Sequence, residues 1–176
     1  MVVPGVKGIG MQLDSRDLDA GNMLLVAKTS RLYLSFFRRS NRLISYDLGT
    51  RSIIKEVAAP RHVDRMAFLE QTNEVLLVDP TRSRLARFDA DTLEAKGYID
   101  AIFGVRSIAI DTHRNLLFCG SLATGEVAIL DLATFKVLRR VYLGPWLRTI
   151  EVDSARGVAY VSSTGALFEL QYANLR

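Results

Sequence analysis

The sequence is poor in the residues that mark the simplest functional classes. It has one cysteine, Cys119, in 176 residues, which excludes an intrachain disulfide and any zinc site built on several cysteines. It has only two histidines, His62 and His113. Four prolines and 12 glycines are too few for a collagen-like or low-complexity chain. No uncharged apolar run reaches the roughly 18 residues of a membrane helix. Met1 to Lys7 lacks the basic and apolar regions of a signal peptide. No G-x-S-x-G, Walker A, H-E-x-x-H or EF-hand pattern occurs, and Gly8-Ile-Gly10 lacks the third glycine of a dinucleotide motif. No segment reads as a long amphipathic helix. The net charge of +4 is modest, and no nucleic-acid-binding motif accompanies it.

What is present is a globular composition, 49% apolar and 24% charged, at a length that suits one domain. The apolar residues repeat. Leu24–Val26, Met66–Phe68, Ile108–Ile110 and Ile150–Val152 start at 24, 66, 108 and 150, a period of 42. Leu34, Leu76, Phe118 and Tyr160 keep the same spacing, and a two-residue deletion in the last repeat brings Leu167 level with Val127. Each repeat holds short β-type runs separated by turn residues, clearest in Ser107–Asp111, Asn115–Gly120, Glu126–Asp131 and Lys136–Val141. The turn between the third and fourth runs carries a signature: Asp47-Leu-Gly-Thr50, Asp89-Ala-Asp-Thr92 and Asp131-Leu-Ala-Thr134. In it the Asp accepts from the turn backbone and the Thr closes it. Four short strands per 40–45 residues is the period of a β-propeller blade. The expected fold is all-β: a propeller of four-stranded antiparallel blades, a to d from the axis outward. About four blades lie in this chain, at 24–65, 66–107, 108–149 and 150–176. Residues 1–23 are expected to supply an outer closing strand through Val6–Leu13, because the last repeat stops before a fourth strand. A closed four-bladed ring, two chains forming an eight-bladed ring and a part of a longer propeller all remain open.

The stretch Gly125–Thr134, Lys136–Leu138, Leu143–Pro145 and Gly157–Ser163 resembles the YVTN-type β-propeller repeat family, with Tyr160-Val-Ser-Ser163 at the name-giving tetrapeptide. The four-stranded period is shared with WD40-like repeats, but Trp146 is followed by Leu147; no Gly-Gly pair suggests kelch. The resemblance implies fold. The family spans binding modules, surface proteins and a few enzymes, is often exported in bacteria, and leaves the compartment of this chain open.

In a propeller the b–c and d–a loops share one face. That face collects Arg38, Arg39, Arg42, Arg82 and Arg84 from b–c loops, and Arg61, Arg65, Arg106 and Arg148 from d–a loops, beside Phe103, Pro145 and Trp146. The opposite face mixes both signs. Arginine beside exposed aromatics is the composition of interface hot spots. The expected function is a non-catalytic binding or scaffold module that docks an acidic protein partner or another subunit through Arg61, Arg65, Phe103, Arg106, Trp146 and Arg148. Asp64, Arg106, Arg148 and Asn22 are expected around one mouth of the central channel, with Glu151 reaching Arg148. That mouth reads as a set of ion pairs lining a wet channel, or as one suited to a small anionic ligand. The alternative is a lactonase-like hydrolase or lyase using Asp64, Glu151 and His62, but two acids and one histidine make a thin constellation, and Arg106 and Arg148 repel a metal cation. No cofactor, metal or catalytic residue is assigned. Cys119, within Leu-Leu-Phe-Cys, reads as a small buried hydrophobe.

Overall fold

The computed structural model describes residues 21–36 and 41–174. The expected strand Val6–Leu13, together with Arg38 and Arg39, lies outside the described residues. The chain folds as a β-propeller of antiparallel sheets. The first blade is β1 (Asn22–Val26), β2 (Arg31–Ser35), β3 (Arg42–Asp47) and β4 (Ser52–Ala58). The second is β5 (Met66–Leu69), β6 (Glu74–Asp79), β7 (Arg84–Asp89) and β8 (Ala95–Asp100). The third is β9 (Val105–Asp111), β10 (Leu116–Ser121), β11 (Glu126–Asp131) and β12 (Val137–Tyr142). The fourth has three strands among the described residues, β13 (Thr149–Asp153), β14 (Val158–Ser162) and β15 (Leu167–Gln171). The inner strands pack in chain order, β1 on β5, β5 on β9 and β9 on β13; no comparable packing joins β13 to β1 among the described residues.

Strand alternation gives each blade two faces. The back face packs on the next blade and the front face on the preceding one. Between the first two blades, Leu24, Val26, Tyr33 and Leu43 meet Met66, Phe68, Val75, Leu77, Ala86 and Phe88. Between the second and third, Leu69, Leu76, Val78 and Leu85 meet Ile108, Leu117, Cys119, Ala128 and Leu130. Between the third and fourth, Phe118, Val127 and Ile129 meet Ile150, Ala159 and Val161. Burying one such Leu or Phe side chain stabilises the fold by about 1.5–3 kcal/mol.

The Asp-x-x-Thr turns form as their spacing requires. Asp47, Asp89 and Asp131 accept the backbone N–H of Thr50, Thr92 and Thr134 at 2.6, 2.9 and 2.8 Å, and the same threonine hydroxyls at 3.1, 3.2 and 3.0 Å. Those backbone bonds hold the Asp47 and Asp89 carboxyls below the usual carboxylate range.

The first two strands of the first blade, β1 and β2, sit one residue out of the 42-residue register, which β3 resumes at Asp47. Leu24 pairs with Tyr33, whereas Ala67, not Met66, pairs with Leu76. Ala109 pairs with Phe118, and Glu151 with Tyr160. Leu24 therefore corresponds to Ala67, Ala109 and Glu151. Asn22 corresponds to Arg65, Ser107 and Thr149, and Gly21 takes the position of Asp64, Arg106 and Arg148.

Candidate functional site

The d–a loops are built on one repeated corner. His62, Gly104 and Trp146 recur at the 42-residue spacing, and all three have left-handed backbones, with φ of 58°, 68° and 62°. The residue after each corner, Val63, Val105 or Leu147, is fully buried. The corner thus turns the chain from outer to inner strand and drives an apolar plug between two blades, while the corner side chain is thrown outward. For a bulky L-residue this conformation is strained and persists only where the surroundings fix it. Trp146 is 55% exposed there, and Phe103, beside Gly104, is 70% exposed.

The loops that carry these aromatics are tied down. Ser121, itself buried, donates its hydroxyl to the Phe103 carbonyl at 2.7 Å and accepts the Thr124 N–H at 2.8 Å. The Arg148 N–H donates to the Ser162 carbonyl at 2.8 Å. Asn22 donates its amide to the Val63 carbonyl at 2.6 Å, fastening the first inner strand to the first corner.

Several arginines of this face are already engaged. Arg106 Nε lies 3.7 Å from Asp64 Oδ2, with both side chains about a third exposed; such a pair contributes about 0–1 kcal/mol. Arg84 lies 3.6 Å from the buried Asp79 carboxylate and stacks 3.4 Å over the Tyr98 ring. Arg82 is also 3.6 Å from Asp79, and Arg42 pairs with Glu56 at 2.7 Å. Arg61, Arg65 and Arg148 carry no ion pair among the described residues. The Arg148 guanidinium sits 5.9 Å over the Trp146 ring, so it turns to the aromatic and forms no ion pair with Glu151. Among the described arginines of this face, those without an ion pair are therefore Arg61, Arg65 and Arg148, all in the d–a loops.

Beneath this rim, the inner strands line a cleft of about 360 Å³ that includes Leu24, Arg65, Ala67, Ala109, Thr149 and Glu151. Its wall at the Leu24 level is apolar in three blades and acidic in the fourth. Asp64 and Arg106 stand at the rim, one position above Arg65 and Ser107. The two histidines are far apart in the fold, His62 on a d–a corner and His113 between β9 and β10. Among the described residues no three His, Cys, Asp or Glu side chains converge as metal ligands. Cys119 is fully buried, and burial pushes its thiol up to about 12, far from the range of a nucleophilic thiolate.

Two engaged features escaped sequence reasoning. The left-handed corner was hidden because only Gly104 advertises it. The sharing of arginines among Asp64, Asp79 and Glu56 was hidden because rotamers decide it.

No family model and no curated protein matches this sequence. Solved structures do match in shape. The chain is similar to Kuenenia stuttgartiensis hydrazine synthase, with a TM-score of 0.77 and 12% identity, over 100% of this chain and 51% of that one. It is also similar to Saccharomyces cerevisiae Sqt1, with a TM-score of 0.68 and 10% identity, over 90% of this chain and 47% of that one. At these identities the likeness shows the fold alone. The chain spans about half the length of each of these two structures. Among the described residues no helix is long and apolar enough to cross a membrane.

Proposed function

We propose that this propeller is a non-catalytic binding module of the YVTN-type repeat family, and that its d–a loop face docks an acidic protein surface. The observation that carries this reading is Trp146: a strained, 55% exposed tryptophan, held on a buried plug, with the unpaired Arg148 over its ring. A large aromatic kept outward against its own backbone preference is what an interface anchor looks like. Phe103 supplies a second apolar contact, and Arg61, Arg65 and Arg148 offer planar donors that suit carboxylates. Arg106 is half-neutralised by Asp64 and acts as a secondary contact.

Trp146 is the only tryptophan, so its emission reports directly on this face. A glutamate-rich peptide should quench or shift that emission, and the response should weaken as salt rises. Arg148→Ala with Arg65→Ala should weaken the response at low salt without changing the melting temperature. Emission that ignores the peptide, or a response untouched by the two substitutions, would sink the reading.

A further inference from the structure

On the face opposite the arginine-rich loops, the three blade interfaces share one slot, and two of them fill it with a tyrosine. Ala90, Leu132 and Tyr172 hold the same place in it. The N–H of each donates at 2.9 Å to the carbonyl of Asn73, Asn115 or Gly157, which recur at the 42-residue spacing. Between the first and second blades Ala90 is small. Tyr33 reaches in from the first blade, fully buried, and donates its hydroxyl to the Ala90 carbonyl at 2.8 Å. Arg31 donates to the same carbonyl at 3.0 Å. Between the third and fourth blades Tyr172 itself fills the slot, its hydroxyl on Asp111 and the Arg114 guanidinium 5.6 Å from its ring centroid. Each of these two slots therefore holds a buried phenol beside an arginine.

The middle interface has the arginine but a different pair of apolar residues. Leu132 stands in the place of Tyr172, and Leu76 in that of Tyr33. A cavity of about 320 Å³ lies here, lined by Leu69, Leu132 and Phe135 together with Thr72, Arg87 and Asn115. Leu69 and Leu132 are buried and give it an apolar floor. Phe135 occupies a left-handed corner at φ 56°, as Leu93 does one repeat earlier at 54°. Leu93 is buried, whereas Phe135 is half-buried, and the Arg87 guanidinium lies 5.2 Å over its ring. Arg87 is held rigidly: Nε and Nη2 donate to the two carboxylate oxygens of the buried Glu74 at 2.7 and 2.8 Å. Its Nη1 remains a donor toward the cavity.

Charge decides what such a cavity takes. Glu74 already neutralises Arg87, so an anion on Nη1 would lose its water and meet no net positive charge. A neutral hydroxyl loses less and still accepts a hydrogen bond from a charged donor. The apolar floor and the Phe135 ring suit an aromatic ring. We propose that this cavity binds a small neutral phenol, its ring against Phe135, Leu69 and Leu132 and its hydroxyl accepting from Arg87 Nη1. The site lies on the opposite face from Trp146 and stands independently of the acidic-partner reading.

Amide chemical shifts of the full chain, titrated with p-cresol, test this. Residues 69–72 and 132–135 and Asn115 should move to a plateau while the Trp146 indole stays still. Toluene lacks the hydroxyl and 4-methylbenzoate carries a charge; each should bind about tenfold more weakly. N-acetyltyrosinamide tells the two sources of a phenol apart. Saturation by p-cresol alone assigns the site to a free small molecule, and saturation by both assigns it to a tyrosine side chain. Leu132→Phe places a ring where the fourth blade has Tyr172, and should abolish the p-cresol response without lowering the melting temperature. Phe135→Leu copies Leu93 at the same corner and should weaken p-cresol binding; it decides the matter if Leu132→Phe does not fold. No saturable response to p-cresol, a response that survives both substitutions, or one that toluene or 4-methylbenzoate matches overturns the proposal.

Discussion

Tyr172, at the end of the fourth blade, donates its hydroxyl to the buried Asp111 carboxylate of the third blade at 2.7 Å. The Tyr172 ring also packs edge-on to Phe118, with centroids 4.8 Å apart. Asp111 accepts the Arg114 backbone N–H at 3.1 Å and its guanidinium at 3.3 Å, and Arg114 reaches across to the Ser154 carbonyl. This network closes the interface between the third and fourth blades at the face opposite the arginine-rich loops.

The network fixes a pH dependence. Burial alone would raise the Asp111 carboxyl, but the Tyr172 hydroxyl, the Arg114 backbone and the neighbouring donors outweigh it and hold the group below the usual carboxylate range. A carboxyl whose folded pKa is depressed stabilises the fold above its unfolded value, about 4. That stability is lost as pH falls through the folded value. Tyr172→Phe removes one donor from a buried acceptor and should cost about 1–3 kcal/mol, several degrees of melting temperature in a chain of this size. Its acid unfolding should also begin at higher pH than the parent's. A variant that melts and acid-unfolds like the parent would show that the bond contributes nothing.

The strain at Trp146 separates stability from binding. At φ 62°, a Cβ costs about 1 kcal/mol relative to glycine. Gly104 occupies the equivalent corner without that cost. Trp146→Gly should therefore melt higher than Trp146→Ala, and both should lose the response to an acidic peptide, read then by calorimetry. If the alanine variant is the more stable, the left-handed corner is not strained by its side chain.

The strands and turns were legible in the sequence because both leave local marks. Alternation shows in Glu126–Asp131, and the Asp-x-x-Thr turn recurs three times at one spacing. The offset of β1 and β2 was not legible, for a physical reason. Met23-Leu-Leu-Val26 is four apolar residues in a row, so it carries no alternation to fix which residues face which blade. Only the pairing of Leu24 with Tyr33 decides it. The polarised loop face was visible as composition. The pairing of Arg106, Arg82, Arg84 and Arg42 with Asp64, Asp79 and Glu56 was not, since these contacts form only once the loops are in place.

Cys119 should behave as core. Its thiol is fully buried between the second and third blades and pushed up to about 12. A water-soluble thiol reagent at neutral pH should find no reactive cysteine in the folded protein and one in denaturant. Cys119→Ala should leave the proposed loop-face binding unchanged and cost stability only through the lost sulfur contacts. Rapid labelling of the native protein would mean that this interface opens far more often than a packed core should.

Gly125, in the turn between β10 and β11, marks a close approach of two loops in the third blade. Its φ is 72°, and a Cβ there would stand 2.2 Å from the Gly144 carbonyl oxygen. That oxygen is backbone, and the Leu143 N–H next to it donates to the Gly125 carbonyl at 3.0 Å, so neither chain can move away alone. Gly125→Ala therefore adds the cost of a left-handed alanine, about 1 kcal/mol, to a clash that must push the b–c and d–a loops apart. Because Gly144 leads into Pro145 and Trp146, the displacement should reach the proposed binding face. The expected result is a fall in melting temperature of several degrees together with altered Trp146 emission in the free protein. Gly165→Ala serves as the control, since nothing lies within 4 Å of a Cβ at that position, and it should leave both readings unchanged. Equal melting temperatures for the two variants would show that the Gly125–Gly144 contact does not hold these loops together.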